Sequence, residues 1–345
     1  GDTFVQISDF DMLVESDEPP VYFERSPAEP VYDLIAANIE PLIEDQSCIA
    51  FSMGPLFEAV SRALNRKQHL GIHSPFFSDA LMDLVKSGAV TNRYKELFKR
   101  KSITSYACGT AELFQWLDQN PRVEFQPVDK VFDPLSIGRN PRFVAIISAR
   151  SADITGRIAL HTGLGNVASG PAEVLAFLNG AQISVGGYTI FGLPSRSNKG
   201  TANIITSIEG LKNRVDFREA VGYVVTEFGV ADLKGLTLRE RAQALIEIAH
   251  PDDRAELIAA AKRENILYRD QIYLAESARC LPSHINECHQ FKGGVEIRFR
   301  PIKPSDEEEM RRLFYRFSDK SVYYRYFSSL KTMPHTRMQT YVNVD

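Results

Sequence analysis

The chain has 345 residues, 44% of them hydrophobic and 24% charged, with a formal net charge of -4. That length buries at least one sizeable core and suits more than one domain. The mildly acidic balance argues against a nucleic-acid binder, which needs a clustered basic patch, and apolar runs such as VAIIS (144–148) are strand-length, too short to cross a bilayer.

Residues 1–30 are acidic and proline-marked (SDEPP, SPAEP) and read as a linker or the end of a preceding domain. From Val31 the pattern is α/β. VYDLIAANIEPLIE predicts an amphipathic helix with Leu34, Ile35, Ile39 and Leu42 on one face, and CIAFSM a short buried strand. Pro55 suits the first turn of the next helix, where its missing N–H costs nothing. In GIHSPFFSDALMDL, Gly71–His73 end an apolar strand and Phe77, Leu81 and Leu84 recur at helical spacing. Further strands are expected in SITSYACG, VEFQPVD, RFVAIISA, QISVGGYTIFGL, TANIITSI and VGYVVTEFGVADL, with helices in AELFQWLDQ and LRERAQALIEIA. Alternation of this kind predicts an open, mostly parallel sheet with helices on both faces. After Cys288 the text changes character: a Gly293-Gly294 hinge, a short strand, then Ser305 capping an acidic helix start.

Four cysteines at irregular spacing (Cys48, Cys108, Cys280, Cys288) do not make a disulfide framework, and no secretory signal opens the sequence, so the cytoplasm is the expected compartment. Cys280, His284, Cys288 and His289 are zinc-type ligands, but Pro282 interrupts any helix that would align them; a polar linker without metal is the expectation.

Taken together, LGIHSPFFSDALMDLVKSGAVT, VEFQPVDKVFDP, SARSADITGRIA, FLNGAQISVGG, VGYVVTEFGVADLKG and RERAQALIEIAHPD resemble the second half of the acetyl-CoA hydrolase/transferase family, which includes 4-hydroxybutyrate and acetate CoA-transferases. The resemblance implies a CoA-transferase-like domain over 31–290, coenzyme A or an acyl-CoA as ligand, no metal, and the absence of most of a first domain. IRFRPIKPSDEEEMRRLFYRFSDKSVYYRYF resembles the opening of a GNAT acetyltransferase, so 294–345 is expected to be a truncated α+β fragment of one, covalently fused. Without the pyrophosphate-cradling loop that would follow, such a fragment should transfer no acetyl group. Beginning without Met and ending abruptly, the sequence reads as a piece of a longer protein; a homo-oligomer is left open.

The resemblance also assigns roles. In the transferases the turn matching GIHSPFFSD carries a glutamate that attacks the thioester and becomes a glutamyl-CoA intermediate. Here that position is Pro75, which offers neither nucleophile nor proton. The family's glycine-rich oxyanion loop corresponds to SGPAEVLAFLNGA, where Gly170 remains but Pro171, Ala172, Glu173 and Val174 replace the rest, and an earlier Gly-Ile-Gly becomes Ser52-Met53-Gly54. Glu173 is the weak substitute carboxylate, against the blander role of starting a helix. His73 and Ser74 are neighbours on a strand and point to opposite faces, so they make no nucleophile–base pair. Gly54, Gly170, Gly186 and Gly187 are expected beside the CoA, with Lys199 offering a point charge to phosphate; a tight bend explains Gly186-Gly187 equally and a solvated loop explains Lys199. Glu227, at a strand end, is read as structural, with Arg239 or Arg241 as partner. These departures predict a CoA-binding module that is silent as a transferase and serves as sensor or scaffold for the fused acetyltransferase. The alternative is an active acetyl-CoA hydrolase or CoA-transferase acting on acids such as acetate or 4-hydroxybutyrate.

Overall fold

The protein's structure, a computed structural model, describes residues 6–161, 172–272 and 287–343. Helix α1 (Pro30–Ile39), strand β1 (Cys48–Ala50), helix α2 (Pro55–Leu64) and strand β2 (Gly71–Ile72) open the fold. Next come β3 (Phe76–Phe77), α3 (Asp79–Lys86), β4 (Ser102–Thr104), β5 (Tyr106–Ala107), α4 (Ala111–Leu117), β6 (Val123–Phe125), α5 (Val128–Val131) and α6 (Pro134–Gly138). The chain continues through β7 (Phe143–Asp153), β8 (Ile158–Leu160), α7 (Ala172–Ile183), β9 (Tyr188–Gly192), β10 (Ile204–Ile205) and β11 (Arg214–Val215). A hairpin of β12 (Tyr223–Thr226) and β13 (Gly229–Asp232) precedes α8 (Leu238–Glu247) and α9 (Pro251–Arg263). The tail carries β14 (Glu287–Phe291), β15 (Val295–Phe299), α10 (Glu307–Phe314), α11 (Asp319–Tyr326) and α12 (His335–Val342).

Strand β7 is the spine. Its first half pairs in parallel with β1 on one side and β9 on the other. β2 lies outside β1, β12 outside β9, both parallel, and β13 closes that edge antiparallel. The second half of β7 pairs antiparallel with β8 and parallel with β10. Because β7 is covered on both faces, its residues alternate between two cores and read as one apolar run. Val144 and Ile146 join Ile35, Ile39, Phe57 and Val60 beneath α1 and α2. Phe143 and Ala145 join Cys48, Ile137, Phe177 and Ala181 beneath α6 and α7. A third cluster packs α8 and α9 on Ala152, Phe191, Val224 and Ala231. This is the open, mostly parallel α/β architecture expected.

Local differences have physical causes. Pro41 ends α1 early, turning Glu40–Leu42 into a 3-10 turn, and Leu34 faces solvent at 56% exposure while Ile35 and Ile39 are buried. Phe77 belongs to β3; the helix begins only at Asp79, whose carboxylate accepts from the Thr110 N–H at 3.1 Å and hydroxyl at 2.6 Å. VGYVVTEFGVADL is two strands, folded back where Thr226 opposes Gly229 at φ 143°, a conformation that favours glycine. QISVGGY is a helix end, a turn and only then a strand. Asp306, not Ser305, is the residue before α10, and the Ser305 N–H instead donates to Glu247 at 2.9 Å.

In the tail Phe314, Val322, Met333, Met338 and Val342 bury one another in a small cluster. Gly293-Gly294, at φ 88° and 75°, form the tight turn of the β14–β15 hairpin. The tail meets the body through polar groups: Lys303 with Glu247 at 2.9 Å, Arg312 with Glu240 at 2.8 Å, and Gln271 donating to Glu307 at 3.1 Å. His335 pairs with Glu307 and packs against Tyr268 with the rings tilted by 39°, 4.1 Å between centroids.

Candidate active site

Strand order reverses beside β7: from β1 the chain moves outward to β2, whereas from β7 it moves the other way to β9 and β12. In an open α/β sheet such a switch point, at the carboxyl ends of the strands, leaves a crevice that no connection fills. A cavity of about 420 Å³ lies there. Its walls include Ala50–Phe57, which run from the end of β1 into α2, Ala145–Ser148 of β7, and Pro75-Phe76, with Leu160, His161, Phe177 and Asn213.

Pro75 is fixed by its carbonyl, which accepts from the N–H groups of Ser105 and Tyr106, each at 3.2 Å, and from the Thr104 hydroxyl at 3.1 Å. Pro75 forms part of the cavity wall. Ser74 and His73 point apart as strand geometry demands. Ser74 Oγ donates to the Phe51 carbonyl at 2.6 Å, and His73 Nε2 meets the Val131 carbonyl at 2.9 Å on the other side. Burial pushes the fully enclosed His73 down to about pKa 4, with the Lys95 charge adding to the shift. Lys95 is itself pushed down to about 8 by burial, its Nζ donating to the carbonyls of Ile72 at 2.7 Å and Lys101 at 2.8 Å. Both groups brace the wall behind the turn and do not enter the cavity.

Gly54 lines the cavity at φ 126°, immediately before Pro55 opens α2. Among the described residues, nothing accepts from the N–H groups of Ser52, Met53 and Gly54. Gly186 and Gly187 sit at the amino end of β9, opposite the cavity; a Cβ on Gly187 would stand 2.3 Å from the Ala181 carbonyl, so the close backbone approach accounts for that glycine. Lys199 lies on an exposed turn away from the cavity wall. Gly170 falls outside the described residues; Glu173 lies in the first turn of α7, its side chain outside them. Glu227 accepts from the Ser195 N–H at 2.9 Å and hydroxyl at 2.6 Å, while Arg239 and Arg241 bond to backbone carbonyls instead. Of the zinc-type cluster, Cys280 and His284 are outside the described residues, and Cys288 and His289 are successive on β14, pointing to opposite faces. Among the described residues no group of three or more His, Cys, Asp or Glu is placed to hold a metal, and no helix is long and apolar enough to cross a membrane.

One pair on the cavity wall was invisible to sequence reading. Ala149 pairs with Leu160 in the antiparallel β7–β8 ladder, so Ser148 and His161 stand opposite each other one step further. Ser148 Oγ and His161 Nε2 are 3.3 Å apart, and Asn213 Nδ2 donates to the His161 carbonyl at 2.8 Å. Desolvation holds the imidazole below its ordinary value, outweighing a contact with the Ala149 backbone that favours the charged form; the Arg150 charge adds to the lowering.

Residues 109–261 match the acetyl-CoA hydrolase/transferase C-terminal domain. Succinyl-CoA:cyclohexane-1-carboxylate CoA transferase of Geobacter metallireducens is 38% identical over 77% of this chain and 61% of its own length. 4-Hydroxybutyrate coenzyme A transferase of Clostridium kluyveri is 38% identical over 76% of the chain and 62% of its own. RipA of Yersinia pestis superposes with a TM-score of 0.71 at 35% identity, over 76% of this chain and 59% of that one. The chain thus spans about three fifths of the length of these relatives.

Proposed function

Because residues 109–261 form an acetyl-CoA hydrolase/transferase C-terminal domain and most of the chain is homologous to 4-hydroxybutyrate CoA-transferases, we propose that the switch-point cavity takes the thioester end of a CoA ester and moves no CoA between acids. Pro75 carries this reading. It occupies the position that the resemblance gives to the nucleophilic glutamate, and it faces the cavity. A glutamyl-CoA thioester needs a carboxylate there, and loss of a covalent nucleophile removes several orders of magnitude in rate because the catalytic groups act as a unit. Among the described residues the lining is mostly apolar, with Phe51, Leu56, Phe57, Ile146 and Phe177 around Pro75.

The tail gives such a module a use. If 294–345 opens a GNAT acetyltransferase, as its sequence resembles, its contacts with Glu240 and Glu247 of α8 tie it to the body. Ligand occupancy then reports to the fused domain, in the cytoplasm, as sensor or scaffold. Calorimetric titration with acetyl-CoA tests the proposal: heat of binding is expected, removed by Ser52→Trp, which fills the cavity mouth. No heat with the unaltered protein overturns it. A second reading, hydrolysis of acetyl-CoA, is favoured by the Ser148–His161 pair.

A further inference from the structure

We propose that Ser148 and His161 form a nucleophile–base pair that hydrolyses the CoA thioester held in the cavity, an activity independent of the missing glutamate. The inference rests on CoA thioester binding as proposed above. Three observations carry it. The two side chains meet at 3.3 Å, loose for a hydrogen bond but within what catalytic pairs show before substrate tightens them. They meet because the ladder register pairs Ala149 with Leu160, which brings Ser148 of β7 opposite His161, the residue that follows β8. And both line the same cavity as Pro75, where Ser52, Met53 and Gly54 bring N–H groups without a described partner to the start of α2. Such donors, fixed at the positive end of a helix, are suited to a developing oxyanion. The lowered imidazole supports the role, since a base must be neutral at working pH.

The chemistry balances without a further reactant. Ser148 Oγ attacks the thioester carbonyl carbon as its proton passes to His161 Nε2. The C–S bond breaks, the CoA thiolate takes that proton and leaves as thiol, and the acyl group remains as an ester on Ser148. Water then attacks the ester carbonyl, giving a proton to His161, which returns it to Ser148 Oγ as the acid departs. The net reaction is thioester and water to carboxylic acid and thiol, with no change of oxidation state. In a sensor, this step empties the site and resets it.

The test measures free thiol released from acetyl-CoA by the whole chain, beside calorimetric binding of the same ligand. The unaltered protein is expected to release thiol above the buffer rate. Ser148→Ala and His161→Ala should each lower kcat at least about 100-fold, with binding heat and unfolding temperature retained. Acid quenching should leave one acetyl group on the peptide that contains Ser148, a signature no structural role produces. Ser148→Cys keeps a nucleophile and should keep the acyl adduct, which guards against an alanine variant that misfolds. Heat without thiol release, or an unchanged rate in Ser148→Ala, overturns this inference alone. Absence of both heat and thiol release overturns the binding proposal and this one with it.

Discussion

The body and the tail hold themselves together in different ways. The body hides its large apolar side chains on both faces of one sheet: Phe51, Phe57, Phe77, Phe143 and Phe191 are each at most 1% exposed. The tail encloses a handful of apolar residues and leaves Tyr324 and Phe327 at 63% and 83% exposure. It is held to the body by Glu240, Glu247, Glu307 and their partners. Buried area scales stability, so the body is one strongly cooperative unit and the tail a weak one, placed by charge.

Substitutions in the two cores sharpen the comparison most. Phe191→Ala, at the centre of the sheet, should cost about 3–5 kcal/mol of body stability. Met338→Ala should melt the tail alone and leave the body's calorimetric transition where it was. A body transition that moves equally for both would make tail and body a single unit.

Acid acts on the body through His73, whose pKa in the fold is pushed down to about 4 by burial. Above the unfolded value of about 6.5 the ring is neutral in both states and stability is complete. As pH falls from there towards 4, only the unfolded chain takes the proton, so about 3 kcal/mol is lost in that window. Denaturant titrations of the parent and of His73→Asn at pH 7 and pH 4.5 should show this loss in the parent and a smaller one in the variant.

The charged junction should give way more gently. Glu240→Gln with Glu247→Gln removes the negative charges that face Arg312 and Lys303, and the double change should weaken docking by about 1–2 kcal/mol. Hydrogen exchange in α10 should rise, and added salt should raise it in the parent but hardly in the variant. Smallest of all, Lys199→Ala should alter acetyl-CoA affinity less than about twofold, because an exposed loop charge is screened and stands off the cavity wall.

How legible was this in the sequence? The spine strand was, because RFVAIISA is a strand-length run apolar on both faces, as a strand covered on both faces requires. The short β8 was not: Ile158–Leu160 follows a polar turn in which Asp153 accepts from the Arg157 side chain at 2.7 Å, and three residues carry no period. The Tyr223–Asp232 hairpin looks like one strand in the sequence because its turn lacks an Asn-Gly or Asp-Gly signal. Pro75 stands out only through the family resemblance; by composition it is one more proline in a turn. Ser148 and His161 are far apart in sequence and meet solely through ladder register, which no local pattern encodes.

The central claim, that the cavity accepts a CoA thioester but transfers no CoA, is tested most directly by exchange of labelled acetate into acetyl-CoA under saturating substrate. With Pro75 at the position the resemblance gives to the nucleophile, label in the acetyl-CoA pool should stay at the level of the protein-free control. Exchange at a rate comparable to an active 4-hydroxybutyrate CoA-transferase would contradict the account.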